Sequence, residues 1–135
     1  MLLSVRTLRD AGSANAFEWA ERADFYAGDA YQWTFQLVDM SKDRAVEGFV
    51  PAGRRYAPAA GATLSVTLLN IDDARKVAKV ASQPFANDPS IWRITVLAGD
   101  PVNGTVDLLL TLTEGATVTH GRVTAAASVA PTGIV

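Results

Sequence analysis

The sequence predicts an all-β domain, built as an antiparallel sandwich or barrel, on three observations. Apolar and polar residues alternate with a two-residue period in five separate runs. Turns rich in Gly, Pro and Asp separate those runs at short intervals. The 135 residues are 49% hydrophobic and include no cysteine, so one packed core, rather than a disulfide framework, has to hold the chain together.

The first clear run is Tyr31-Gln32-Trp33-Thr34-Phe35-Gln36-Leu37, with every odd residue large and apolar. Alternating aromatics beside Leu37 read as core, since each buried ring contributes about 2 kcal/mol or more. Thr63–Leu68 directs Leu64, Val66 and Leu68 inward, and Ile91–Val96 does the same with Trp92, Ile94 and Val96. Thr105–Leu112 aligns Val106, Leu108, Leu110 and Leu112, and Arg122–Val129 aligns Val123, Ala125, Ala127 and Val129. Leu3–Leu8, Lys76–Ala81 and Ala116–His120 are weaker strand segments. The punctuation is Ala27-Gly28-Asp29, Pro58-Ala59-Ala60-Gly61, Asn87-Asp88-Pro89-Ser90, Gly99-Asp100-Pro101-Val102-Asn103-Gly104 and Thr113-Glu114-Gly115.

One short helix is expected over Ala16–Ala23. Asn15 and Glu18 have the spacing of a capping box, and Phe17, Trp19, Ala20 and Ala23 give one apolar side. Two turns are too few to stand alone in water, so the segment has to pack on something. The polar stretch Asp39–Tyr56 reads as an excursion, and loops of that length are commonly functional or interfacial.

Composition excludes several function classes. Twelve Lys+Arg against fourteen Asp+Glu leaves a formal net charge of -2, which disfavours a nucleic-acid partner. Charged residues make up only 19%, below the roughly 25% usual for soluble domains, which points to surface covered by other protein. With one histidine, His120, the chain offers no multi-histidine site, and His120 reads as a surface or edge residue rather than a catalytic base. Asp72 with Asp73 and Asp24 with Asp29 are the candidate carboxylate pairs, and Asp72-Asp73, just past a strand, read as a solvated turn. Asp100 and Asn103 lack the spacing of a calcium loop, and no phosphate-cradling glycine motif occurs. No catalytic residue, cofactor or metal ligand is assigned, and the expectation is that the protein is not an enzyme. The stretch Met1-Leu2-Leu3-Ser4-Val5-Arg6 does not read as a secretory signal, and no apolar run is long enough to span a membrane.

The order of segments resembles a recurring domain of tailed-bacteriophage virions. Gly28-Asp29-Ala30-Tyr31-Gln32-Trp33-Thr34-Phe35 is similar to its opening strand, and Gly61-Ala62-Thr63-Leu64-Ser65-Val66 to its second. Asp88-Pro89-Ser90-Ile91-Trp92-Arg93-Ile94 and the stretch from Gly104 through Thr113-Glu114-Gly115 resemble the strands that follow, with Gly121-Arg122-Val123-Thr124-Ala125 closing the sheet. Over residues 28–129 the pattern is like the immunoglobulin-like N-terminal domain of upper baseplate and tail-fibre proteins. The resemblance implies an immunoglobulin-like β-sandwich (28–129), preceded by an arm (1–27) that contains the short helix and followed by a tail (130–135). It implies a non-enzymatic virion component of tail, baseplate or fibre attachment, assembled in the host cytoplasm. Its partners would be other virion structural proteins and further copies of itself in a symmetric array. A carbohydrate- or host-surface-binding module and a capsid decoration protein are the alternatives. Partner contacts are expected at Phe17, Trp19, Arg44, Phe49, Arg54, Arg55 and Tyr56, in the arm and the excursion.

Overall fold

The computed structural model describes residues 3–10, 17–20, 30–39 and 54–126. Every regular element among them is a strand: β1 (Leu3–Asp10), β2 (Phe17–Ala20), β3 (Tyr31–Asp39), β4 (Arg54–Arg55), β5 (Thr63–Asn70), β6 (Lys76–Val80), β7 (Ile91–Val96), β8 (Thr105–Glu114) and β9 (Thr117–Ala126). The expected all-β class holds. The weaker segment Ala116–His120 and the described part of the clear run from Arg122 merge into the single strand β9, hairpinned onto β8 from Glu114↔Thr117 to Thr105↔Ala126. Gly115 makes that two-residue connection possible by adopting φ +60°, a conformation costly for any residue with a Cβ.

The strands hydrogen-bond into one mixed sheet in the order β4-β3-β1-β9-β8-β5-β6, with β2 also on β1 and β7 also on β3. Just past β6, Ser82 bridges to Arg93 of β7, so the sheet curls round until it is nearly a barrel. The strands are not all antiparallel as expected: β1 and β9 run parallel where Leu3 meets Gly121. Parallel neighbours need a long connection between them, and these two strands lie at opposite ends of the described chain. Gly121 is required at that junction, because a Cβ there would press on the main chain of Leu3.

The helix expected over Ala16–Ala23 does not form where the chain is described. Phe17–Ala20 is a strand paired antiparallel with β1, from Asp10↔Phe17 to Thr7↔Ala20. A two-turn helix leaves half of its N–H and C=O groups unpaired and is too short to stand alone, whereas pairing on the edge of β1 ties the segment into the sheet. Thr7 pairs with both Ala20 and Phe35, so β2 lies on the edge of β1 opposite β3, the edge whose beginning takes β9.

The core fills the inside of the curl with the residues that alternation assigned to it. Trp33, Phe35 and Leu37, then Leu64, Val66 and Leu68, then Trp92, Ile94 and Val96, then Val106, Leu108, Leu110 and Leu112 are all buried. Each fully buried aliphatic or aromatic side chain contributes about 1.5–3 kcal/mol. The Trp33 and Phe35 rings stack at 4.4 Å between centroids. On β3 the alternation in burial breaks down, because Thr34 and Gln36 on the other face are buried as well. Gln36 Nε2 donates to Ser90 Oγ at 3.0 Å, and Arg93 Nε donates to Thr34 Oγ1 at 3.0 Å. These bonds satisfy the polar groups that the second layer of burial removes from water.

Candidate interaction surfaces

The curl does not close completely. In the β5–β6 ladder, Ala81 N donates to Leu64 O and Asn70 N donates to Arg75 O, which places the main-chain groups of the odd residues 75–81 toward β5. The even residues Lys76, Ala78, Val80 and Ser82 therefore face the other way. Ser82 exchanges two bonds with Arg93, at 2.9 and 2.8 Å. For Lys76, Ala78 and Val80 no ladder partner exists among the described residues. Val80 is 83% exposed, and Leu97, just past β7, is 52% exposed. On the inner side of the seam Lys79 Nζ meets Asp100 Oδ2 at 2.7 Å, both side chains largely buried. The Asp100 carboxylate also accepts from Leu97 N at 2.8 Å, so the group considered for calcium is committed to holding the β7–β8 loop.

Of the contacts expected from sequence, Arg44 and Phe49 lie outside the described residues. Phe17 and Trp19 belong to β2 and Arg54 to β4, where only the backbone is described. Arg55 is exposed and reaches Asp88 at 3.4 Å. Tyr56 is half-buried against the core, and its hydroxyl donates to the Glu114 carboxylate at 2.8 Å. Ala59 N donates to the same carboxylate at 3.2 Å, so Tyr56 latches the 56–59 segment to the β8–β9 hairpin. That hydrogen bond to Glu114, followed by partial burial, raises the Tyr56 pKa above its ordinary value. The Arg55-Tyr56 pair is thus split between one exposed charge and one structural contact.

The outer face of β5, β8 and β9 carries a second surface. Register places Leu69, Asp107 and Thr124 in one row, Thr67, Leu109 and Arg122 in the next, and Ser65, Thr111 and His120 in the third. Asp107 is only 1% exposed although it points away from the core. Thr124 Oγ1 donates to its Oδ1 at 2.7 Å, and Arg122 donates to its Oδ2 through both Nε, at 2.7 Å, and Nη2. The Thr124 hydroxyl first, then the Arg122 guanidinium, outweigh burial and hold the Asp107 carboxyl below the usual aspartate range. Beside this cluster a groove of about 580 Å³ runs between Thr67, Leu109, Thr111, His120 and Arg122, ending where β9 meets Leu3. Thr111 Oγ1 and His120 Nδ1 are 3.4 Å apart across the ladder. His120 is exposed on this face, as expected for a surface residue.

Asp72 and Asp73 form the turn their sequence context suggested. Their N–H groups donate to Asn70 Oδ1 at 2.9 and 3.3 Å, and Asp73 pairs with Arg75 at 2.8 Å. Asn70, buried, also donates from Nδ2 to Pro101 O and Asn103 O, tying the β5–β6 turn to the β7–β8 loop. Asn70 and Asp107 are the two polar centres that sequence reasoning missed. Asp107 had a legible signal, an acidic residue inside a leucine-rich strand, but its partners Arg122 and Thr124 become visible only through the β8–β9 register.

Among the described residues no group of three or more His, Cys, Asp or Glu side chains gathers as metal ligands do, and no helix is long and apolar enough to cross a membrane. Comparisons with protein-family models, with curated proteins and with solved structures find no match.

Proposed function

We propose that this chain is a non-enzymatic structural component of a bacteriophage virion, in tail, baseplate or fibre attachment, that assembles through protein–protein contacts. The observation that carries the reading is the open seam between β6 and β7. Among the described residues it leaves Lys76, Ala78 and Val80 without a ladder partner on that edge, and Val80 on β6 and Leu97 just past β7 are exposed aliphatic side chains. Such an edge is a ready template for a partner strand, and in a finished assembly it would be covered. The pattern resemblance over 28–129 supplies the virion context and the immunoglobulin-like reading of the domain. Partners are other virion structural proteins and further copies of the chain.

The experiment is to locate the chain in purified particles by mass spectrometry and electron microscopy and then to assemble particles with Ala78→Pro. That substitution removes an outward-facing N–H and leaves every β5–β6 bond intact, because the odd residues make those bonds. Particles that exclude the variant support the reading; absence of the wild-type chain from particles refutes it. A second reading, a carbohydrate- or host-surface-binding module, is favoured by the groove on the outer face of β5, β8 and β9.

A further inference from the structure

The groove beside Arg122 has a definite chemistry that does not depend on which of these readings holds. Its floor is the Leu109 side chain, between Thr67 on β5 and Arg122 on β9 in the same row. Its walls carry hydrogen-bond donors. Arg122 gives Asp107 one N–H from Nε and one from Nη2, which leaves the other three of its five donors without a described partner. The bond to a carboxylate that is itself buried fixes the plane of the guanidinium, although the Arg122 side chain is 66% exposed. The Thr67 and Thr111 hydroxyls and the His120 ring stand along the same groove. The Asp107 carboxylate beside the groove is already engaged by Arg122 on one oxygen and Thr124 on the other.

A pre-oriented guanidinium fork, hydroxyl donors and an apolar floor match a planar anionic group on a small, partly apolar body. Asp107 compensates the Arg122 charge, so the site selects by hydrogen-bond geometry more than by Coulomb attraction. That favours a singly charged carboxylate over a doubly charged phosphate. The geometry points to a binding site for a small carboxylate, such as an acidic sugar, in which the free edge of Arg122 holds the carboxylate. Thr67, Thr111 and His120 bond its remaining oxygens, and Leu109 receives its apolar face.

The test is a titration of the full chain, labelled with ¹⁵N, with glucuronate and acetate, using glucose and inorganic phosphate as comparison probes. Glucuronate is expected to shift the amides of Thr67, Leu109, Thr111, His120 and Arg122 saturably, acetate to shift the same set more weakly, and glucose to leave them unmoved. Arg122→Ala is expected to weaken glucuronate binding at least tenfold. Because that variant also loses the Asp107 pair, Thr67→Tyr provides a second arm: it fills the groove without touching the pair and should abolish the shifts. The inference is overturned if the shifts map elsewhere, if glucose or phosphate matches glucuronate, if no saturable shift appears, or if folded Thr67→Tyr binds as the wild type does.

Discussion

The Asp107 cluster allows a quantitative test of how the outer face is held. Arg122→Ala removes two charge-assisted donors from a carboxylate that is 1% exposed and leaves it with the Thr124 hydroxyl alone. Hydrogen bonds to charged groups are worth about 1.5–3 kcal/mol each, and stripping one partner from a fully buried ion pair costs about 3–5 kcal/mol. Arg122 is 66% exposed and its water-facing side loses little, so the expectation falls to about 2 kcal/mol. Urea denaturation at pH 7 should show this as a midpoint lowered by roughly 1 M with an unchanged slope. Thr124→Val should cost about 1–2 kcal/mol in the same assay. The sign with pH follows from the direction of the shift. The folded state holds Asp107 ionised more strongly than the unfolded chain does, chiefly through Thr124 and then Arg122. The stabilisation is therefore complete above the ordinary aspartate pKa of about 3.9 and is lost as pH falls through the lower folded value. The gap between wild type and Thr124→Val should close below about pH 4. A loss under about 0.5 kcal/mol for Arg122→Ala at pH 7, or a gap that ignores pH, would refute the assignment.

Three further outcomes follow from the same geometry. Gly121→Ala places a methyl against the Leu3 main chain and should destabilise by about 1–3 kcal/mol, with amide exchange rising first in β1 and β9. Tyr56→Phe should cost about 1 kcal/mol near neutral pH. Because bonding to Glu114 raises the Tyr56 pKa, the wild-type advantage should persist up to about pH 10 and vanish as pH rises through the folded value, readable in guanidinium melts. Asp100→Ala strands Lys79 on the inner side of the seam and should cost about 2–3 kcal/mol by thermal denaturation, with faster exchange in the β7–β8 loop.

The core was the most legible part of the sequence because strand alternation reports burial directly. Leu64, Val66 and Leu68, or Val106 through Leu112, take the same side in the sheet as in the pattern. Topology was less legible, since alternation says which side chains go inward but not which strand lies beside which. The parallel contact of β1 with β9 depends on a glycine that the local pattern treats as an interruption. At Phe17–Ala20 a capping-box spacing competed with the free edge of β1, and the edge prevailed over a two-turn helix. Tyr56, read as a rim contact, turned inward because Glu114 lies across from it, 58 residues away in sequence. The groove was illegible for a similar reason: Thr67, Thr111, His120 and Arg122 lie on three strands and meet only in the register.

The seam gives the sparse surface charge a structural meaning. A sheet that nearly closes still has to protect the stretch where it does not, and inward-pointing charges are one recurrent device. Here that device is present but turned inside. Lys79 and Asp100 neutralise each other beneath the seam, holding loop and strand together without placing a net charge on the edge. Outside, of the three residues with no ladder partner among the described residues, only Lys76 is charged, while Ala78 and Val80 present small apolar side chains to solvent. Charge at Val80 would blunt that edge, and a lysine would stand there at no packing cost. The placement keeps the charge pair inside the curl and an apolar residue on its outward edge, the arrangement that the proposed assembly through that edge calls for. Under the proposed assembly role, Val80→Lys should leave the melting temperature unchanged within about 1 °C while impairing incorporation into particles; a loss of folding stability of the same size as the loss of incorporation would refute that division between inside and outside.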